Sequence, residues 1–427
     1  MRWLAVFALV ARAAAADPLA AKADDFRAAL HARHLSREGL VLYNVRLTTI
    51  ARELASGAYP ALADGPTFNG LFAGAACARA ESSTGAERER ALADASAGLS
   101  GLELLMDVTG VQGLMARSAR RAPPHPKTGG EWYEGAGRFA GWWWRGDVSQ
   151  DQYANGLIVA IGLCKRLYPE RAKRLAVDAA SHLLAHDFQL VDPDGRTTTF
   201  GDLSWRSGLG WNSIAQLTSY AILSLAAQLD PADPRFLAWR DRLRDEHRVV
   251  ARARFTNVRL FGLTKPSNDL MAFDLYRVLL PLARETRDTA YADLRAGLWR
   301  SWLRVEPDGS PYFALVFCSL DPGGCSAKTL ADAHQVLADF PAEKRKVAPA
   351  RELADLPRRW LPGPKDLSSD VVPMRLRPAS SFEWKSSPYR MTQESQPEIE
   401  YCGLDYLVAY WLYDAVCSTR TDCPARE

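Results

Sequence analysis

Apolar side chains recur at helical spacing along most of this 427-residue chain, and strand-like alternation is weak. A chain patterned this way folds by packing helices on helices. The spacing predicts helices near residues 37–55, 68–80, 87–106, 152–167, 171–186, 213–229, 236–248, 270–284, 289–303, 326–337 and 401–416, with a further one near 18–31. Tight links, such as Tyr168-Pro169 and residues 230–234, imply antiparallel neighbours. Other connections, near 108–151, 187–212 and 306–325, are long and rich in Trp, Gly, Arg and Asp. About a dozen helices joined alternately by short and long links predict an all-α fold, an (α/α)6 toroid of helical hairpins. A helical solenoid is the alternative. One small β-hairpin is expected, at 188–191 and 197–200 around Asp194-Gly195. In a toroid the inner helices all run the same way, so their N-termini gather on one face.

Hydrophobic residues make up 48% of the chain, enough for a packed core, so no large disordered part is expected. The 53 basic and 50 acidic side chains nearly cancel. That balance offers no basic surface for phosphate, so no nucleic-acid partner is expected. After the N-terminus no segment approaches the roughly 20 apolar residues of a membrane span. Residues 1–16 read as a signal peptide: Arg2, an apolar run from Leu4 to Val10, then small residues. A periplasmic or secreted protein follows, with residues 17–427 as one toroid domain. The cysteines agree with export. Cys318 and Cys325 flank a Gly-rich turn and Cys417 and Cys423 close a short loop, two local disulfides suited to an oxidising compartment. Cys77 and Cys164 lie in apolar helical runs and read as core thiols. There is no CxxC pair.

The densest polar and aromatic cluster is Trp142-Trp143-Trp144-Arg145-Gly146-Asp147-Val148-Ser149-Gln150-Asp151-Gln152. Ser149 and Gln152 have capping-box spacing, which starts a helix at Gln150 and puts Asp151 in its first turn, where the helix dipole favours the anion. Asp147 precedes the cap. Trp rings that exclude water would raise its proton affinity. One anionic and one protonated carboxyl is what general acid–base chemistry requires. A capped helix with ordinary acids and core Trp residues is the plainer explanation. Similar clusters open other helices: Ser267-Asn268-Asp269, Trp205 to Asn212 with Trp211, Glu398 to Tyr401 with Glu400, and Pro66 to Asn69. Capping explains many of these polar residues singly. Their shared position at helix starts predicts a cleft on one rim.

His182 and His186 are four apart, but the glutamate of H-E-x-x-H is missing, so no metal site is expected. Asp192-Pro193-Asp194-Gly195 lacks the later ligands of a calcium loop and reads as a turn. No G-x-S-x-G, P-loop or G-x-G-x-x-G is present, and no cofactor is expected. Arg145-Gly146-Asp147 as an adhesion tripeptide is a chance match.

Residues 109–117 (TGVQGLMAR) and 146–153 (GDVSQDQY) resemble a group of uncharacterised secreted bacterial proteins. So do Leu190 to Gly195, Ser267-Asn268-Asp269, Phe382-Glu383-Trp384 with Ser387-Pro388-Tyr389, Leu404-Asp405-Tyr406, and Tyr410-Trp411. The resemblance implies a fold similar to the six-hairpin glycosidases, a group that includes unsaturated glucuronyl hydrolases. It implies no catalytic pair, because such folds carry several activities. The expected function is therefore a carbohydrate-active enzyme, a glycoside hydrolase with a carbohydrate or polysaccharide ligand. Asp147 would be its acid and Asp151 or Asp269 its base. Trp142, Trp144 and Trp211 would be sugar platforms, and Arg145, Asn212, Asn268, Trp384 and Glu400 would line the cleft. A polysaccharide lyase is an alternative, with Tyr153 as base and Arg145 as the cation. A non-catalytic glycan-binding or assembly protein is another.

Overall fold

A computed structural model describes residues 17–48, 63–121, 123, 130–255, 265–348, 350–359 and 366–424. The expected signal peptide and Trp360 lie outside them. Helix α1 (Pro18–Ala29) opens the described chain, and α2 (Gly65–Ser82) pairs with α3 (Gly85–Asp107). A π-helical stretch, Gln152–Leu157, runs into α4 (Ile158–Cys164), which pairs with α5 (Pro169–Ala185). The next hairpins are α6 (Ser213–Leu229) with α7 (Pro234–Asp245), α8 (Pro266–Thr286) with α9 (Tyr291–Val305), and α10 (Pro311–Leu320) with α11 (Ala327–Ala338). The last helix, α12 (Leu404–Cys417), packs back on α1.

The even-numbered helices touch one another in chain order, and α12 closes the ring against α2. They are buried almost all round, as in α6 from Ser213 to Ala226. The outer helices bury only a stripe, as α5 does with Ala172, Leu175, Ala176, Ala179 and Leu183. Pro in the first turn fixes the start of α1, α2, α5, α7, α8 and α10. Ion pairs as well as apolar packing also tie outer helices to one another. Buried Asp94 on α3 accepts from Arg27 Nε at 2.7 Å and lies 2.7 Å from His31 Nε2, tying the N-terminal helix α1 to α3.

The chain is mostly helical rather than all-α. Strands β1 (Asn44–Arg46), β8 (Gln396–Tyr401) and β7 (Arg345–Lys346) form one antiparallel sheet in that order. A second sheet has β4 (Trp143–Arg145) between β2 (Ser118–Arg120) and β3 (Trp132–Glu134). The expected hairpin is there as β5 (Gln189–Val191) and β6 (Thr197–Asp202). Every one of these strands lies in a stretch leading into an inner helix, so the sheets build the face where inner N-termini open. The helix expected at 37–55 does not form over its described part. Gly39 turns the chain with φ 88°, and β1 pairs with β8 instead.

The inner helices approach closely at glycine. A Cβ on Gly70 of α2 would lie 2.1 Å from the carbonyl oxygen of Gly156 in the π-helical stretch, so here backbone meets backbone. That crossing brings Cys77 and Cys164 together as a disulfide, with Cα atoms 5.3 Å apart. These were expected to be free core thiols. Their separation of 87 residues hides the pairing from any local reading. Cys318–Cys325 and Cys417–Cys423 pair as expected, and Cys402 is free and buried.

Between α8 and α10, Tyr312 donates to the Asp274 carboxylate, and Arg277 Nη1 lies 3.4 Å from the Tyr312 hydroxyl. Burial pushes the Asp274 carboxyl up to about 7, against the pull of Tyr312 and Arg277. The folded protein thus holds a proton here that the unfolded chain releases near pH 4. The associated stability is full below that pH and is lost as pH rises towards 7. In Asp274→Asn this loss should vanish, so melting temperatures taken from pH 4 to 8 should fall less steeply with pH than in the parent. Removing the inner disulfide, by Cys77→Ala with Cys164→Ala, should cost on the order of 4 kcal/mol, the loop-closure value for a link of that span. Urea denaturation of oxidised parent and variant measures it.

Candidate functional site

Asp64 is the last residue before α2 and stands on the rim. Its Oδ2 accepts from Lys385 Nζ at 2.7 Å. Its Oδ1 lies 3.5 Å from Gln152 Nε2 and 3.6 Å from Arg117 Nη2. Arg117 also donates from Nε to the Ala63 carbonyl at 2.8 Å and from Nη1 to the Asp147 carbonyl at 3.1 Å. The same Nη1 is 3.8 Å from Asp147 Oδ2. One guanidinium therefore spans two carboxylates, one from the entry to α2 and one from the entry to α4. Asp64, Arg117 and Lys385 are each about a fifth exposed. Burial alone would raise the Asp64 carboxyl. The charges and hydrogen bonds of Lys385, with Arg117 and Gln152, outweigh it and hold Asp64 below the usual carboxylate range. Tyr43, stacked on Phe68 at 4.8 Å, is pushed up to about 12 by burial, and the Asp64 charge adds to the shift.

Asp147 has φ 59°, a left-handed conformation uncommon outside glycine. Two contacts hold it there. Its N–H donates to Asp192 Oδ2 at 2.9 Å, and its Oδ1 accepts from the Thr199 N–H at 2.6 Å. The loop before α4 and the β5–β6 hairpin are thus clamped reciprocally. Gly146 is part of the clamp: a Cβ there would meet Tyr133 Cε2 at 2.7 Å and Asp192 Oδ2 at 3.0 Å. Burial raises the Asp192 carboxyl, and the charges of Asp194 and Asp147 add to this, against the Asp147 N–H. His182 anchors the other side of the hairpin. Its Nε2 accepts from the Val191 N–H at 3.2 Å and its Nδ1 lies 3.0 Å from the Gln112 carbonyl. Burial, with His186 beside it, lowers His182 to about 4, which suits a neutral ring.

Several expected site residues stand elsewhere. Trp142 and Trp144 are buried, Trp144 stacked on Tyr133 at 4.6 Å and Trp142 under Arg121. They present no free face to a sugar, because Tyr133 covers Trp144 and Arg121 and Phe139 cover Trp142. Asp147 is about a third exposed and meets a guanidinium and a backbone N–H, so the expected apolar surroundings are not there. The Ser149–Gln152 capping box does not form. Ser149 Oγ donates to Asp151, and Gln152 Nε2 donates to the Ala63 carbonyl. Asp269 is buried and ion-paired with Arg304 of α9. Asn268 lies one residue before it, its N–H donating to the Lys265 carbonyl at 2.8 Å. Trp384 is buried, its Nε1 donating to the Asp405 carbonyl, and it is the adjacent Lys385 that reaches the site. Glu400 is buried beside Arg33 and His34, at 2.8 and 3.0 Å. Tyr153, the lyase base expected, is buried and donates to the Gly113 carbonyl, and burial raises its hydroxyl, which removes it from that role.

Trp211 is different. It is 80% exposed, the one exposed Trp among the described residues. The chain reaches it through three successive left-handed residues, Gly208, Leu209 and Gly210, and Leu209 is itself 95% exposed. Asn212 then caps α6, accepting from the Ala215 N–H, while its Nδ2 donates to Gln150 Oε1 at 3.2 Å. The entries to α2, α4 and α6 therefore form one continuous polar rim through Asp64, Gln152, Gln150 and Asn212. Sequence reading missed Asp64, Arg117 and Lys385. Asp64-Gly65-Pro66 carries a helix-start signal, and Arg117 ends the run that opens at Thr109, but neither pattern says that they meet.

Among the described residues, no group of three or more His, Cys, Asp and Glu is placed to hold a metal ion, and no helix is long and apolar enough to cross a membrane. No family model matches the chain and no curated protein is similar to it. Among solved structures it is similar to the GH family 9 endoglucanase J30, with a TM-score of 0.47 and 13% identity over 93% of this chain and 84% of that one. No residue role is carried over from that enzyme.

The clamp yields a local test. Gly146→Ala should cost about 1–3 kcal/mol by overpacking against Tyr133 and Asp192. It should also speed amide exchange at Asp147 and Thr199 ahead of the inner helices. Uniform exchange across the chain would contradict a local clamp.

Proposed function

We propose that this chain is an exported glycoside hydrolase whose reacting carboxylates open the inner helices α2 and α4. The observation that carries the reading is Arg117, one partly exposed guanidinium reaching both Asp64 and Asp147 on the face where inner N-termini gather. Lys385 and Arg117 keep Asp64 anionic, as a base or nucleophile must be. The proton donor is Asp147 or Asp151, which lie in the entry to one helix. Trp211 offers the open aromatic face on which a sugar ring stacks, and Asn212 and Gln150 supply polar groups beside it. Asp269, Asn268, Trp384 and Glu400 act at a distance, by holding the entries to α8 and α12 in place. Three disulfides support export, because such bonds persist in oxidising compartments.

Asp64→Asn should lower kcat by 10²- to 10⁴-fold on whichever glycan the parent cleaves, with a small fall in melting temperature from the lost pairs to Lys385 and Arg117. One of Asp147→Asn and Asp151→Asn should do the same. Trp211→Ala should raise KM more than it lowers kcat. Reducing-end release from a panel of oligosaccharides measures all four. Full turnover by Asp64→Asn would sink the assignment. One observation favours a second reading: the cations already pair with both carboxylates, as in a rigid binding surface. Glycan binding without cleavage by the parent would select that non-catalytic role.

A further inference from the structure

Three cations stand at this rim: Arg117, Lys385 and Arg145. Arg117 and Lys385 are committed to Asp64 and Asp147. Among the described residues Arg145 has no hydrogen-bond or ion-pair partner for its guanidinium, and its Nε is buried without one. It occupies β4 immediately before Gly146 and Asp147, opposite Ser118 and Trp132 in the sheet, so its backbone is fixed. The chain at Gly130 crosses close over it. A Cβ on Gly130 would lie 2.4 Å from Arg145 Nε and 2.8 Å from Nη2, which walls off that side of the guanidinium. Its charge is felt by the same groups that make up the site. Burial and the like charge of Arg117 disfavour the cation, while Tyr43, Asp147 and Asp64 support it.

A half-buried guanidinium beside a like charge is costly unless an anion meets it. None of the carboxylates at this rim reaches the Arg145 guanidinium among the described residues, and its Nε is buried without a partner. We infer that Arg145 receives an anionic substituent of the bound saccharide, a carboxylate or a sulfate ester, so that the site takes acidic rather than neutral glycans. This rests on the glycan-binding reading of the rim and deepens it. The sugar charge replaces the missing partner, and Arg117 and Lys385 stay with Asp64 and Asp147. Recognition by a buried charge-assisted pair would also make binding sensitive to losing the guanidinium even where charge is kept elsewhere, because the fork geometry of Arg matches a planar carboxylate.

The test is calorimetric titration of the full oxidised chain with three probes: an oligogalacturonate, a sulfated galactan oligosaccharide that contains no uronate, and a neutral cello-oligosaccharide. At least one acidic probe should bind, and the preferred one identifies carboxylate or sulfate as the substituent. Arg145→Gln should weaken that probe tenfold or more, leaving the melting temperature and any neutral-probe binding unchanged. Arg145→Lys should recover only part of the affinity. Equal binding of the acidic probe by parent and Arg145→Gln overturns the inference. Binding or cleavage of the neutral probe alone overturns it too, while leaving the hydrolase reading intact. If no saccharide of either kind binds, both fall together.

Discussion

Much of this structure hangs on one close crossing, where α2 meets the π-helical stretch before α4 with Gly70 against Gly156. A Cβ on either glycine would strike backbone of the other element, at 2.1 Å from Gly156 O or 2.3 Å from Pro66 O. Because the backbones touch, the entries to the two helices are also brought together. Asp64, six residues before Gly70, meets Gln152, four residues before Gly156. Further along the same helices, Cys77 meets Cys164 and locks the crossing covalently. The π-helical geometry belongs to the same arrangement, since such stretches re-aim side chains at a helix start and recur at functional sites. It lets Gln152 reach the Ala63 carbonyl rather than cap its own helix.

Around that crossing the rim is organised by charge. Arg117 reads out the relative position of two loops, since it contacts Ala63, Asp64 and Asp147 at once. Asp147 in turn is held by the β5–β6 hairpin, and the hairpin by His182 on α5. A strained residue at φ 59° persists only where its surroundings over-determine it, and two hydrogen bonds and a glycine do so here. The Arg145-Gly146-Asp147 sequence thus has three separate physical reasons, none of them adhesion. Arg145 has no partner among the described residues, Gly146 leaves room for Asp192, and Asp147 joins two loops.

Helical periodicity was enough to read most of the helices, but inner helix α10 (Pro311–Leu320) fell inside the expected link at 306–325; Asp194-Gly195 was enough to read the β-hairpin. Local signals were least reliable where tertiary pairing competes with them. Residues 37–48 look amphipathic, yet Asn44–Arg46 finds a partner strand from the far end of the chain. The Ser149–Gln152 spacing looks like a capping box, yet Gln152 has a better acceptor 89 residues away. The three Trp residues of the β4 region look like a sugar platform. Side chains packed on their faces bury Trp142 and Trp144, and the exposed ring, Trp211, comes from another loop.

The sequence by itself determined most of the helices, the local turns, the two short disulfides and the fact that polar residues crowd the starts of helices. These depend on interactions within a few residues, so a linear pattern records them. Only the tertiary structure decided which polar groups meet. Asp64 and Lys385 are 321 residues apart, Asp64 and Arg117 lie on opposite sides of a complete helical hairpin, and Cys77 and Cys164 are joined across two inner helices. Ring closure sets those distances, through glycine contacts whose effect no single stretch of chain contains.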